Sequence, residues 1–189
     1  MKPYLRPISR SCAAAFAAAS LCTAVLAQVT PTPTMTPDTP TSDSTKDDGT
    51  GLSHHDRGFL KKAARAGMKE VIVSQAVMDN LANPKVKELA QMMIADHTVN
   101  NTELMSLASS KSVPLPPQDT SIADEWSKKT GDVDAKYVKE MVSDHKAAVE
   151  LFEKASKSNN PDIAAFASKT LPTLQHHLSM AEALDQPAN

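Results

Sequence analysis

The sequence predicts an all-α protein whose folded part is an antiparallel four-helix bundle. Three observations carry this. Apolar residues recur at three- and four-residue steps in four separate stretches, the spacing of one face of a helix with 3.6 residues per turn. Asn-Pro occurs at 83–84 and again at 160–161, each time directly before such a stretch. Asn is a good N-cap and Pro is tolerated at the first helical position. No stretch alternates with period two, so no strand competes.

Taken in order, the chain opens on a segment that reads as a secretory signal peptide. Lys2, Arg6 and Arg10 make a basic start, and no acid precedes Asp38. Residues 11–27 form an Ala-rich apolar run that ends in Val25-Leu26-Ala27, so cleavage is expected after Ala27. An uncleaved anchor is the lesser reading, because the run falls just short of the ~20 residues a span needs. Export would also remove Cys12 and Cys22, leaving no thiol for a disulfide or a metal. The charge balance would move from 20 basic and 22 acidic residues to 17 against 22. A mildly acidic exported protein has no electrostatic case for binding nucleic acid.

Residues 28–52 are expected to be a disordered linker. They combine Thr, Pro, Ser, Asp and Gly with almost no large apolar side chain, too little to offset the entropy of ordering. A tether that holds the domain off the envelope is the lesser reading of the same stretch.

The folded domain is expected over 53–184, with 185–189 as a short tail. Ser53 with Asp56 fits a capped helix start, and the first helix runs through Phe59, Leu60, Ala63, Gly67, Val71, Ser74 and Val77 to Leu81. The second starts at Asn83-Pro84 and continues to about Lys111. Residues 112–131 hold Pro114, Pro116, Pro117 and Gly131, a long connection with room for one short helix around Ile122–Lys129. The third helix runs from about Val133 to Lys157 and the fourth from Asn160-Pro161 to about Leu184. Pro172 should kink or locally break the last one. The two Asn-Pro segments lie 77 residues apart, so the domain reads as two helical hairpins, 53–111 and 132–184. Neither can bury its apolar face alone.

One pattern stands in both middle helices: Met-Ile-Ala-Asp-His at 93–97 and Met-Val-Ser-Asp-His at 141–145. His97 falls in a stripe with Leu89, Met93 and Leu104, and His145 in one with Tyr137, Met141 and Phe152. Both should therefore face the core, with Asp96 and Asp144 about 100° round the helix. His177 lies on the fourth helix, and Glu70 interrupts the stripe of the first. In an up-down-up-down bundle both Asn-Pro turns would share one end. Counted from the helix ends at those turns, Glu70, His97, His145 and His177 are 11, 13, 12 and 16 residues away. At about 1.5 Å per residue they would lie within roughly 8 Å of one another along the axis.

A group of motifs occurs together here: Phe59 to Ala64, Glu70-Val71, Asn83-Pro84, Asp96-His97, Asp144-His145 and Leu171-Pro172 to His177. The combination resembles a family of exported bacterial proteins known as a domain of unknown function, placed in the periplasm or outer membrane. The resemblance covers 53–184. It implies a ferritin-like four-helix fold and an envelope location, and no reaction.

Two readings of the polar residues compete. Bundle proteins build metal sites from side chains that converge on the core, and three imidazoles with a carboxylate suit Zn, Fe, Mn, Cu or Ni. Asp96 and Asp144 could then orient a histidine on an adjacent helix. Against this, ferritin-like di-iron sites use Glu-x-x-His, and Ile94, Val142 and Leu174 stand three before the histidines. That favours a metal-free layer of Asp–His pairs that sets helix register, with a haem or di-iron centre the remotest choice. His54, His55 and His176 read as surface residues, and the methionines after Met35 as core. There is no Ser-His-Asp order, phosphate loop or reactive Cys. The sequence thus favours a non-enzymatic envelope module acting through partner contacts or in stress tolerance, over a periplasmic metal-binding or metal-dependent redox protein.

Overall fold

The computed structural model describes residues 51–186. The expected signal peptide, most of the linker and residues 187–189 lie outside the described residues. Five helices and no strand occur among the described residues: α1 (His54–Val77), α2 (Pro84–Ser110), α3 (Ser121–Ser127), α4 (Val133–Ala155) and α5 (Pro161–Leu184).

The four long helices begin where the sequence supplies a cap. The Ser53 hydroxyl accepts the Asp56 backbone N–H at 3.0 Å, and the Asp56 carboxylate accepts the Ser53 N–H at 3.3 Å. Asn83 caps α2 through the Lys85 N–H, Asn160 caps α5 through those of Asp162 and Ile163, and Asp132 caps α4 through that of Ala135. Each such bond satisfies a donor that the helix itself leaves unpaired, worth about 1 kcal/mol.

Three details differ from expectation. Leu52, assigned to the linker by composition, is buried at 1% exposure, and its carbonyl accepts the Arg57 guanidinium at 2.9 Å. α1 ends at Val77 rather than Leu81, because the N–H groups of Asn80 and Leu81 turn back onto the Val77 carbonyl before Asn83 extends to cap α2. Helix α5 is continuous through Pro172, without the local break that is one of the two outcomes expected there. Pro172 and Ser168 both face solvent, where water can satisfy the Ser168 carbonyl that loses its partner.

α1 packs against α2, α3 and α4, and α5 packs against α2 and α4. Along α1 and α4 the contacts pair Phe59 with Phe152, Lys69 with Asp144, and Ser74 with Tyr137. Between α2 and α5 they pair Asp96 with His177, Glu103 with Lys169, and Lys111 with Asp162. In both cases residue numbers rise along one helix as they fall along the other.

These pairings place the two Asn-Pro turns at opposite ends, not at one end as an up-down-up-down order requires. The backbone of Ala82 and Asn83 is held by Asp134 at the start of α4, while Ser158 and Asn160 reach Asp56 and Gly51 at the start of α1. The connection between α2 and α4 makes this possible by crossing the length of the helices, with α3 on α1 along the way. A crossover of this kind is what a long second connection permits.

The apolar core is split in two. One part gathers Phe59, Phe152 and Phe166, with ring centroids 5.0–6.3 Å apart, together with Leu60, Leu104, Ile163 and Leu174. The other gathers Val73, Val77, Leu89, Met93, Met141 and the edge-to-face pair Trp126–Tyr137. Between them lies a buried polar layer.

Candidate metal centre

That layer consists of Glu70, His97, His145 and His177, one residue from each long helix, none more than 4% exposed. Each takes its place because it occupies a core position of its helix. Reversing α4 and α5 leaves them level, since a residue near the middle of a helix keeps its height whichever way the helix runs.

One nitrogen on each of two imidazoles is already committed. His145 Nδ1 lies 2.9 Å from the Met141 carbonyl, one turn back, so this nitrogen carries the proton and donates it. His177 Nε2 lies 2.8 Å from Asp96 Oδ2 on α2 and likewise donates. The other nitrogens, His145 Nε2 and His177 Nδ1, are therefore bare lone pairs. They face each other at 3.2 Å.

Glu70 and His97 form the other half. His97 Nε2 stands 2.6 Å from Glu70 Oε2, the distance of an ion pair, yet the approach lacks hydrogen-bond alignment. Both Glu70 oxygens and His97 Nε2 are thus buried without a hydrogen-bond partner. Glu70 Oε1 also stands 3.7 Å from His145 Nδ1, and a buried carboxylate facing imidazoles without aligned hydrogen bonds is costly. One ligand atom from each of the three imidazoles can be chosen so that all lie within 4.8 Å of one another. Three nitrogens bound to a tetrahedral metal at about 2.0–2.1 Å sit roughly 3.4 Å apart, so loading would draw the cluster in slightly.

The electrostatics disfavour the proton on His145 and His177 and favour the ionised form of Glu70. Burial pushes His177 down to about 4, only partly offset by its bond to Asp96. Burial also lowers His145, against the pull of the Glu70 charge. Burial alone would raise Glu70, but the surrounding histidines, His97 foremost, outweigh it and hold it below the ordinary carboxylate value. Neutral imidazole and ionised carboxylate are the forms that bind metal.

Asp96, beside the stripe, accepts a hydrogen bond from a histidine on the adjacent helix. Asp144 does not. Lys69 on α1 reaches over to it at 2.7 Å and to Glu140 at 2.5 Å, so Asp144 closes a half-buried ion cluster instead of supporting an imidazole. The physical reason is reach: Lys69 supplies a full charge on the facing helix. His54, His55 and His176 are exposed and stand apart from the layer.

With this geometry in view, comparison with known proteins is informative about lineage. Residues 41–184 match the family described as Domain of unknown function (DUF4142). The chain belongs to the DUF4142 family. A crystal structure of a DUF305 fragment from Deinococcus radiodurans superposes with a TM-score of 0.60 over 70% of this chain and 95% of that one, at 10% identity. At that identity the likeness concerns the fold alone. No curated protein matches the chain. The DUF4142 match takes in the whole polar layer and all five helices.

Several participants were invisible in the residue pattern. The Met141 carbonyl leaves no trace in side-chain type, and Lys69 reads only as a charge beside Glu70. Thr170 and Asn101 are buried next to the layer, and Gly67 lies against Asn101: a Cβ there would come within 2.2 Å of Asn101 Oδ1. Three-residue spacing from His97 and His177 could have flagged none of these as polar partners.

Proposed function

We propose that this protein is an exported metal-binding module. In it Glu70, His97, His145 and His177 hold one transition-metal ion at the centre of an antiparallel, ferritin-like four-helix bundle. The observation that carries this reading is the opposition of His145 Nε2 and His177 Nδ1 at 3.2 Å, with the other nitrogen of each ring already donating. Two lone pairs at that distance repel unless a proton or a metal ion lies between them. Burial disfavours the proton on both rings. The bonds to a carboxylate and a backbone carbonyl are those by which metal-binding histidines are usually oriented.

The donor set of three nitrogens and a carboxylate, without sulfur, suits Zn(II), Fe(II), Mn(II) or Cu(II), and the ligand order of affinity peaks at copper. Export is supported by the basic start and apolar run of residues 1–27. No helix among the described residues is long and apolar enough to cross a membrane. An envelope location in the periplasm or at the outer membrane follows from the export reading and is part of the same proposal.

The metal-free register layer is the second reading, and the Asp96–His177 bond favours it, since that bond links α2 to α5 without any ion. Metal analysis of untagged protein purified from its own envelope separates the two. One equivalent of metal, lost in His145→Ala and His177→Ala and retained in His54→Ala, is the expected result. Absence of metal in the native protein, with no change in Tm on adding any of the four ions, would leave the register layer as the function of these residues.

A further inference from the structure

A small cavity adjoins the polar layer on the side of the phenylalanine cluster. Of the layer, Glu70 and His97 line it and His145 and His177 do not; Gly67, Asn101, Ala148 and Thr170 are among the other lining residues. Its volume is about 20 Å³ in terms of the space open to the centre of a water molecule. A single water needs about 10–15 Å³ on that measure. The space is therefore of a size for a water, a hydroxide or a diatomic molecule.

The wall chemistry is uneven. Phe152, Phe166, Leu104 and Leu174 make most of it apolar. Thr170 is 3% exposed, and its hydroxyl is buried without a hydrogen-bond partner. Both Glu70 oxygens and His97 Nε2 are in the same state. A buried hydroxyl left unpaired beside a cavity of water size is the usual mark of a ligand that completes it. Ala66 and Asn100 at the rim are half-buried, so the cavity extends toward solvent between α1 and α2.

We infer that the metal site has one open side: an ion held by Glu70 and the three histidines carries a single exchangeable ligand of water or diatomic size in this cavity, completed by the Thr170 hydroxyl. The inference rests on the metal-binding reading. It distinguishes a centre closed by protein ligands, which is structural, from one that presents a coordination position to small molecules.

The test uses the full mature chain loaded with Cu(II), chosen because N/O sites bind it most tightly. Binding is read first, as one equivalent with nitrogen hyperfine structure in the EPR spectrum. The open position is read next, as line broadening when the solvent is changed to ¹⁷O-enriched water. The expected result is broadening in the wild type and its loss in Ala148→Leu, which fills the cavity while still binding one Cu(II). Stoichiometric copper without broadening overturns the open position and leaves the metal reading standing. Broadening that persists in a folded Ala148→Leu removes the ligand from this cavity. No copper bound at all overturns both. Should Ala148→Leu fail to fold, Thr170→Val takes its place: several-fold faster exchange of the bound water, measured by solvent-proton relaxation, is expected, and an unchanged rate overturns the role of the hydroxyl.

Discussion

His145 Nε2 and His177 Nδ1 face each other at 3.2 Å, each as the acceptor end of a ring whose other nitrogen already donates. The pair links α4 to α5 at the level where the apolar core is interrupted. Its partners come from two sources of different chemistry, a backbone carbonyl on the same helix and a carboxylate on another. The carboxylate is the one that mutation can remove cleanly.

Asp96→Asn should weaken metal binding about 10–100-fold, the usual cost of losing a carboxylate that orients a metal-bound imidazole. Asp144→Asn should leave affinity within about threefold, since Asp144 bonds Lys69 rather than a histidine; a threefold change is under about 1 kcal/mol. Competition against a chelator of known affinity measures both. Equal losses in the two variants would mean that Asp96 does not set the orientation of His177.

The metal-free protein should lose stability as pH falls from about 6.5 toward 4. The sign follows from His177, whose pKa is pushed down to about 4 in the folded state from 6.5. Between these values the unfolded chain binds the extra proton and the folded one does not, so unfolding is favoured progressively across that window. His177 alone accounts for about 3 kcal/mol at most. His145, also lowered by burial, acts in the same sense. Glu70, held low, loses its own contribution as pH falls through its folded value. Asp144, raised chiefly by burial, works the other way, and Asp144→Asn removes it from the profile. Denaturant unfolding at half-unit pH steps should give a falling midpoint, and a shallower fall in His177→Ala over the same range assigns that share of the effect to His177.

Gly67→Ala should destabilise the protein by about 1–3 kcal/mol, because the added methyl meets the Asn101 side chain at 2.2 Å and forces it to shift. Asn101→Ala in the same chain should recover much of that loss. A double-mutant cycle by thermal or denaturant unfolding reads the coupling. Simple additivity would show that the two helices separate rather than repack.

The helices themselves, their caps and the core positions of Glu70, His97, His145 and His177 were legible in the sequence, because each depends on local spacing. A period of 3.6, an Asn-Pro start and a Ser-x-x-Asp cap act within a few residues of chain. The pairing of one polar residue per helix also followed, since mid-helix positions meet whichever way the helices run. What only the tertiary structure decided was the direction of α4 and α5, and with it the partner of each carboxylate. The long second connection permits either order, and nothing local to residues 111–132 chooses between crossing the helices and turning back. That choice puts His177 opposite Asp96 and Lys69 opposite Asp144, so two Asp-His pairs with the same local pattern have different partners. Lone-pair direction, too, is a property of three dimensions. It depends on which nitrogen finds a proton acceptor, one turn back on the same helix for His145 and across a helix interface for His177, and residue spacing does not say which ring takes which.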